Sequence, residues 1–388
     1  MPVTTYLDHG ATTPLRDEVA QAMEEARSEP LGNPTGSHRP AQRARRLLEE
    51  ARDEVAAQLG RSPGEIVFTS GGTESANLAV FGTVLAALEC RGSASLLCSA
   101  IEHPAVWESS HAVARREAVS LRLLPVDHHG VVDLNALGDA LDPEVTLVSV
   151  MMANNETGVV QPLAEVVEMV REQNPACVIF TDAVQAAPFM NLAQCTSGAD
   201  LVAVSAHKVG GPVGIGVLAI RAGVELAAQQ LGGGQERERR SGTQNVLGAV
   251  GLATALRVAA AERVAVAARA AGLREVLADG LMGAVVDAYR TVPPDVATLP
   301  GHLHLCFPGI EREELLVALG ERGICASGGS SCASGALEPS RVLIAMEVSA
   351  GLARGAIRFT LGRQTTTDEI AYVVGVVPEV VGALRHGG

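Results

Sequence analysis

Short apolar runs rich in Val, Ile and Leu alternate with longer helical patterns over the first two thirds of the chain, and this order narrows the fold more than any other feature. Runs at 66–70, 95–100, 121–126, 146–153, 178–183, 201–206 and 215–220 have the length and composition of strands. Segments 39–59, 73–88, 104–116 and 163–171 carry helical spacing between them. Strands that are apolar along their whole length need cover on both faces, so the order predicts an α/β fold with a mostly parallel sheet between helices. The Ala-rich stretch 249–281 has few breakers and predicts one long helix that leads the chain away from the sheet. Beyond it, 302–307, 311–320 and 355–361 read as a smaller α+β unit. The expected division is a large domain over 14–258 and a small C-terminal domain over 259–388, with 1–13 packing on the small one.

With 388 residues the chain is long enough for two such domains. A formal charge of −14 argues against nucleic acid or an anionic membrane as a direct partner, because both need Lys and Arg gathered on one face. Seven cysteines without a CxxC pair fit a reduced compartment better than a disulfide framework. The first residues show neither a basic nor an apolar signal region, and the longest nearly uncharged stretch, 75–88, is shorter than the roughly 20 residues that span a bilayer. A cytoplasmic protein is the expectation.

Four segments carry chemistry. Lys208 follows the apolar run 201–206 and opens the glycine-rich turn 210–216, a setting in which an amine can be held against an aldehyde cofactor. Gly71-Gly72-Thr73 lies where a strand gives way to a helix, so bare backbone amides and the positive helix end offer a place for a phosphate; the spacing is neither GxGxxG nor a P-loop. Asp182 closes an apolar run, where a carboxylate can pair with a protonated pyridine nitrogen or simply cap a loop. Residues 327–335 contain only Ser, Gly, Ala and Cys, and with no apolar anchor they predict that Cys332 is an exposed thiol able to swing, its reactivity set by its thiolate character. His302, His304 and Cys306 alternate along one run and resemble a metal cluster, but three ligands without a further partner fit a core strand better, and no metal site is expected. His128 and His129 read as surface residues, and Cys325 as a thiol that could pair with Cys332 under oxidation.

Taken together, 70–75, 182–185, 205–216 and 327–335 resemble the pyridoxal-phosphate-dependent cysteine desulfurases of the NifS/IscS type, in the class V aminotransferase-like family, and the resemblance runs from about Tyr6 to the end of the chain. It implies the fold of the PLP-dependent transferases (aspartate aminotransferase-like, fold type I). Gly72, Thr73, Ser205 and His207 would hold the cofactor's phosphate. Asp182 would hold its ring nitrogen, while Gln185 and Asn155 of Asn154-Asn155-Glu156-Thr157-Gly158 would reach its ring oxygen. His103 of Glu102-His103-Pro104-Ala105-Val106 would lie on the ring and handle substrate protons, and Lys208 would bond the cofactor. Arg358, with Asn155, would bind the substrate α-carboxylate, for which a planar fork of donors suits better than an ammonium.

The same resemblance implies conversion of L-cysteine to L-alanine, with the sulfur left as a persulfide on Cys332 and passed to a sulfur-acceptor protein, either an iron–sulfur scaffold or a thiolation enzyme. Thr243, in Arg240-Ser241-Gly242-Thr243, would reach the phosphate of a neighbouring subunit, which requires at least a homodimer. A selenocysteine lyase or an aminotransferase would use the same cofactor residues but gives no reason for a cysteine in 327–335. Two positions depart from the pattern: His9 stands where relatives usually have Asn, and the chain stops soon after Arg385, without the longer tail some members use to dock a scaffold.

Overall fold

The computed structural model describes residues 4–116, 118–329 and 340–386. Its largest sheet has seven strands in the order Ile66–Thr69, Gly216–Ile220, Leu201–Ser205, Val178–Asp182, Val145–Ser149, Ala94–Ser99 and Val119–Leu124. Only Gly216–Ile220 runs against the others, pairing antiparallel with both its neighbours. The inner strands are buried on nearly every residue, as unbroken Val/Ile/Leu runs require; Val119–Leu124, at the edge, leaves every residue but Leu124 partly or fully exposed. Successive residues serve opposite faces: Leu97, Val148 and Ile179 pack with Leu48 and Val55 of the helix Arg39–Leu59. Leu96, Leu147 and Phe180 pack with Val80 and Val84 of the helix Gly72–Arg91.

The long helix spans Val246–Ala284, a few residues beyond 249–281 at each end, and Asn245 caps it by accepting a hydrogen bond from the Gly248 amide. Its first half buries Leu252 and Leu256 under the large sheet, and its second half buries Leu277 and Leu281 in a separate core. That second core is built on an antiparallel sheet ordered Ala356–Thr360, His302–Cys306, Tyr289–Arg290. Leu7 joins it, because Thr5–Tyr6 pairs with Ile324–Cys325.

Besides short turns of helix, three described helices of seven residues or more have no counterpart in the sequence reading: Asp17–Arg27, Leu134–Ala140 and Thr367–His386. The last contains Pro378, a residue that ordinarily ends a helix. Burial of Ile370, Val373, Val377 and Val381 on one face outweighs that cost.

The loop before the long helix is fastened by a buried ion pair. Arg52 donates to both carboxylate oxygens of Glu236 at 2.8 and 2.9 Å, and the Phe68 amide donates to the same carboxylate at 2.9 Å. Glu236, Arg237 and Glu238 all adopt positive φ (44°, 56° and 64°), a strained run for residues with side chains that the ion pair holds in place. Arg52→Ala leaves a buried carboxylate without its partner. It is expected to lower unfolding free energy by about 3 to 5 kcal/mol in denaturant titrations; a change within error would mean that the pair does not hold the loop.

Candidate active site

Five chain segments meet beyond the carboxyl ends of the parallel strands, the edge where sheets of this kind bind ligands. They surround a cavity of about 180 Å3 lined by Gly72, Thr73, His103, Met151, Asn155, Asp182, Val184, Gln185, His207 and Lys208. Gly72 and Thr73 begin the helix Gly72–Arg91 directly after the strand Ile66–Thr69. That turn sits flat on its neighbour strand: a Cβ at Gly216 would come 2.7 Å from Gly71 Cα, so only glycine lets the two backbones meet. Ser205 is buried behind the turn and is not a wall of the cavity.

Burial sets the charge states. Asp182 ends its strand and accepts a hydrogen bond from the Val184 amide at 3.0 Å. Burial pushes its carboxyl above the usual range, against the pull of His103 and Lys208. His103 accepts from the Ala105 amide at Nδ1, 3.1 Å away, so its neutral ring carries the proton on Nε2. Burial and the Lys208 and Arg341 charges lower its pKa, with Asp182 opposing. Burial, then Lys208, take His207 down to about 4. Lys208 itself falls to about 8, through burial first and the Arg358 guanidinium second, with Asp182 and Asp8 opposing.

The N-terminal turn closes one side. Lys208 Nζ donates to the carbonyls of Gly10 and Ala11 at 2.5 and 2.8 Å, and Gln185 Nε2 donates to Gly10 O at 2.9 Å. His9, the departure from the family pattern, is buried against Gly362 and edge-on to Tyr6 at 5.0 Å between ring centres. Burial and the Arg363 charge take its pKa down to about 4.

Arg358 reaches this place from the small sheet. Its guanidinium donates to Asn155 O and to Asp8 Oδ1, each at 2.7 Å, and its buried Nε has no partner among the described residues. The carboxylate clamp expected from sequence is therefore already holding Asp8, a partner that sequence reasoning missed although it had singled out the turn. Met151 and Val184 were missed as well; both are apolar and buried, and nothing in the sequence separates them from core residues.

Other expected residues lie apart. Thr243 is exposed and does not line the cavity of its own chain, while Arg240 pairs with Glu74 at 2.7 Å. His302 and His304 are buried in a strand, where His304 Nδ1 meets Thr291 Oγ1 at 2.7 Å. Cys332 lies outside the described residues.

A family model described as aminotransferase class-V matches residues 5–373. Cysteine desulfurase IscS of Dictyoglomus turgidum is 38% identical over 380 residues, 98% of this chain and 95% of that protein. The cysteine desulfurase IscS of an Anaeromyxobacter species is 42% identical over 390 residues, 100% of this chain and 94% of that protein. Among solved structures, a NifS-like protein superposes with a TM-score of 0.91 at 36% identity, covering 98% of this chain and 100% of that one. DndA from Streptomyces lividans reaches 0.78 at 31%, covering 91% and 98%.

The lysine electrostatics can be read without turnover. Only the neutral amine captures an aldehyde, so uptake of pyridoxal phosphate by cofactor-free protein is expected to rise with pH through a midpoint near 8 and to level off roughly a unit above it. Arg358→Gln removes a like charge, raises the lysine pKa and moves the midpoint to higher pH. Stopped-flow absorbance across pH 6 to 10 measures both; a flat profile, or a midpoint shifted downward, contradicts the assignment.

Proposed function

The chain belongs to the aminotransferase class-V family, within which it is a pyridoxal-phosphate-dependent cysteine desulfurase, and we propose that it turns L-cysteine into L-alanine by leaving the sulfur on Cys332. One observation carries the reading: Lys208, Asp182, His103, Asn155 and Gln185, far apart in sequence, share one cavity.

The residues present fit the cofactor. Asp182 is a buried carboxylate facing that cavity with no ion-pair partner among the described residues, and a protonated pyridine nitrogen supplies one. The amides at Gly72 and Thr73 begin a helix and suit a phosphate, with His207 on the same wall; Ser205 supports that turn from behind. Gln185 and Asn155 supply polar groups for the ring oxygen. When bound, pyridoxal phosphate captures the substrate amine and draws electrons from the adjacent carbon.

The chain's own groups do the rest. Arg358 orients the substrate carboxylate, which competes with Asp8 for the guanidinium and finds Nε free to donate. Lys208, poised near neutrality, takes the α-proton at Nζ, and His103 exchanges a proton at Nε2. The Cys332 thiolate attacks the substrate sulfur. A sulfur–sulfur bond forms while the carbon–sulfur bond breaks, and the carbon keeps that pair and takes a proton. Cysteine and a thiol thus become alanine and a persulfide, and no outside oxidant is needed.

Further features support a homodimer in the cytoplasm. Thr243, exposed on its own chain, is free to complete the phosphate site of a second copy. No helix among the described residues is long and apolar enough to cross a membrane, and six described cysteines are free. Residues 14–258 form the large domain in this reading, and 259–388 with 1–13 the small one. The persulfide goes on to an acceptor protein, an iron–sulfur scaffold or a thiolation enzyme.

Lys208→Ala is expected to stay folded and to make no alanine from cysteine. Arg358→Lys should raise KM for cysteine by about tenfold or more, since an ammonium cannot make the bidentate contact. Alanine formation at the normal rate by Lys208→Ala, measured by amino-acid analysis, sinks the proposal.

A further inference from the structure

Glu156 follows Asn155 in the turn 154–158, yet it does not line the cofactor cavity and is buried. Its Oε2 accepts a hydrogen bond from Ser340 Oγ at 2.5 Å. The same side chain lies against Gly329, where a Cβ would come 3.2 Å from both Cβ and Cγ of Glu156. Burial pushes the carboxyl above its usual range, and Ser340 and the guanidinium groups of Arg358, Arg341 and Arg312 pull against it.

Both contacts are themselves anchored. Ser340 Oγ accepts from the Leu343 amide at 3.2 Å, and Arg341 donates to Glu102 O at 3.0 Å while lying 3.8 Å from the centre of the Trp107 ring system. Before the segment, Ser327 and Arg358 exchange backbone hydrogen bonds of 2.7 and 3.2 Å, and the Gly329 amide donates to Ser327 Oγ at 3.1 Å. Residues 330–339, Cys332 among them, are the sequence between these two points. One buried carboxylate side chain therefore touches the residue just before that segment and the residue just after it.

We propose that Glu156 is a positioning residue for Cys332, a staple that fixes both ends of 330–339 beside the turn bearing Asn155. The inference rests on the reading of Cys332 as sulfur acceptor. Three peptide units separate Gly329 from Cys332, so a fixed Gly329 limits the thiol to about 11 Å of chain. Holding both ends also removes conformations that carry the thiol away, which raises its effective concentration at the substrate sulfur.

Ser340→Ala is the cleaner test because Ser340 lies outside the cavity; Glu156→Gln keeps the shape and removes the charge. Each variant is assayed for cysteine affinity, for single-turnover transfer of sulfur to Cys332 by mass spectrometry, and for proteinase K cleavage within 330–339 of the cofactor-loaded protein. Cysteine affinity is expected to hold in Ser340→Ala while transfer falls about tenfold and cleavage speeds up by a similar factor, the usual consequence of losing one buried hydrogen bond to a charged group. The double variant should lose little more than the worse single one, since both remove the same contact. Unchanged transfer and cleavage, additive losses, or an equal loss of cysteine affinity overturns the staple. If Cys332→Ser still transfers sulfur normally, the acceptor assignment has failed instead. The cleavage readout then judges the staple alone: unchanged cleavage rejects it and faster cleavage upholds it.

Discussion

Arg358 ties the small sheet to the large one at the site, where the long helix and an apolar cluster of Ile101, Met151, Cys306 and Ala356 also join the two. Its strand belongs to the small antiparallel sheet, its guanidinium holds a carbonyl of the Asn155 turn above the large sheet, and its third partner is Asp8 from the N-terminal segment. Removing any one of these would leave a buried charge or a buried carbonyl unpaired, a cost of several kcal/mol by the usual measure of about 3 to 5 for a broken buried pair. The cavity lies beside this junction, so a residue that reads as a substrate clamp also bonds across the two sheets. If Arg358 is the substrate clamp proposed above, its bond to Asp8 would have a substrate carboxylate enter by exchange, one anion replacing another.

The second constraint is the scarcity of water around the charged groups. Asp182, Lys208, His103 and His207 lie close together, and burial shifts each toward its neutral form. A lysine near neutrality serves both as a base and as an amine that can bond an aldehyde, whereas an exposed one stays protonated. Asp182 faces the cavity with no ion-pair partner among the described residues, and on the proposed reading a protonated ring would supply one and couple cofactor uptake to the stability of the fold.

Much of this could be read from the residues alone, for stated physical reasons. Runs such as Leu201–Ser205 are apolar throughout because both faces are covered, and that pattern survives without any tertiary knowledge. The motif residues at 72, 103, 155, 182, 185 and 208 lie at or a few residues beyond the carboxyl ends of strands, so their convergence follows from the parallel order of the strands. What escaped has equally specific causes. The helix Thr367–His386 was hidden by Pro378, whose local preference is overruled by burial. The pairs Arg52–Glu236 and Arg358–Asp8 join residues 184 and 350 positions apart, and no local pattern marks them. Glu156 looked like one more member of a turn motif, and its contacts with Gly329 and Ser340 exist only once the two sheets are placed together.

The account holds that the buried site hands the sulfur of cysteine to one particular thiol among seven. Brief exposure of the cofactor-loaded protein to L-cysteine, followed by alkylation and peptide mass spectrometry, tests that most directly. One additional sulfur on the peptide containing Cys332, absent in a sample that lacks cysteine, is the predicted result. Sulfur found on Cys325 instead, or alanine released while Cys332 stays an unmodified thiol throughout, would contradict it.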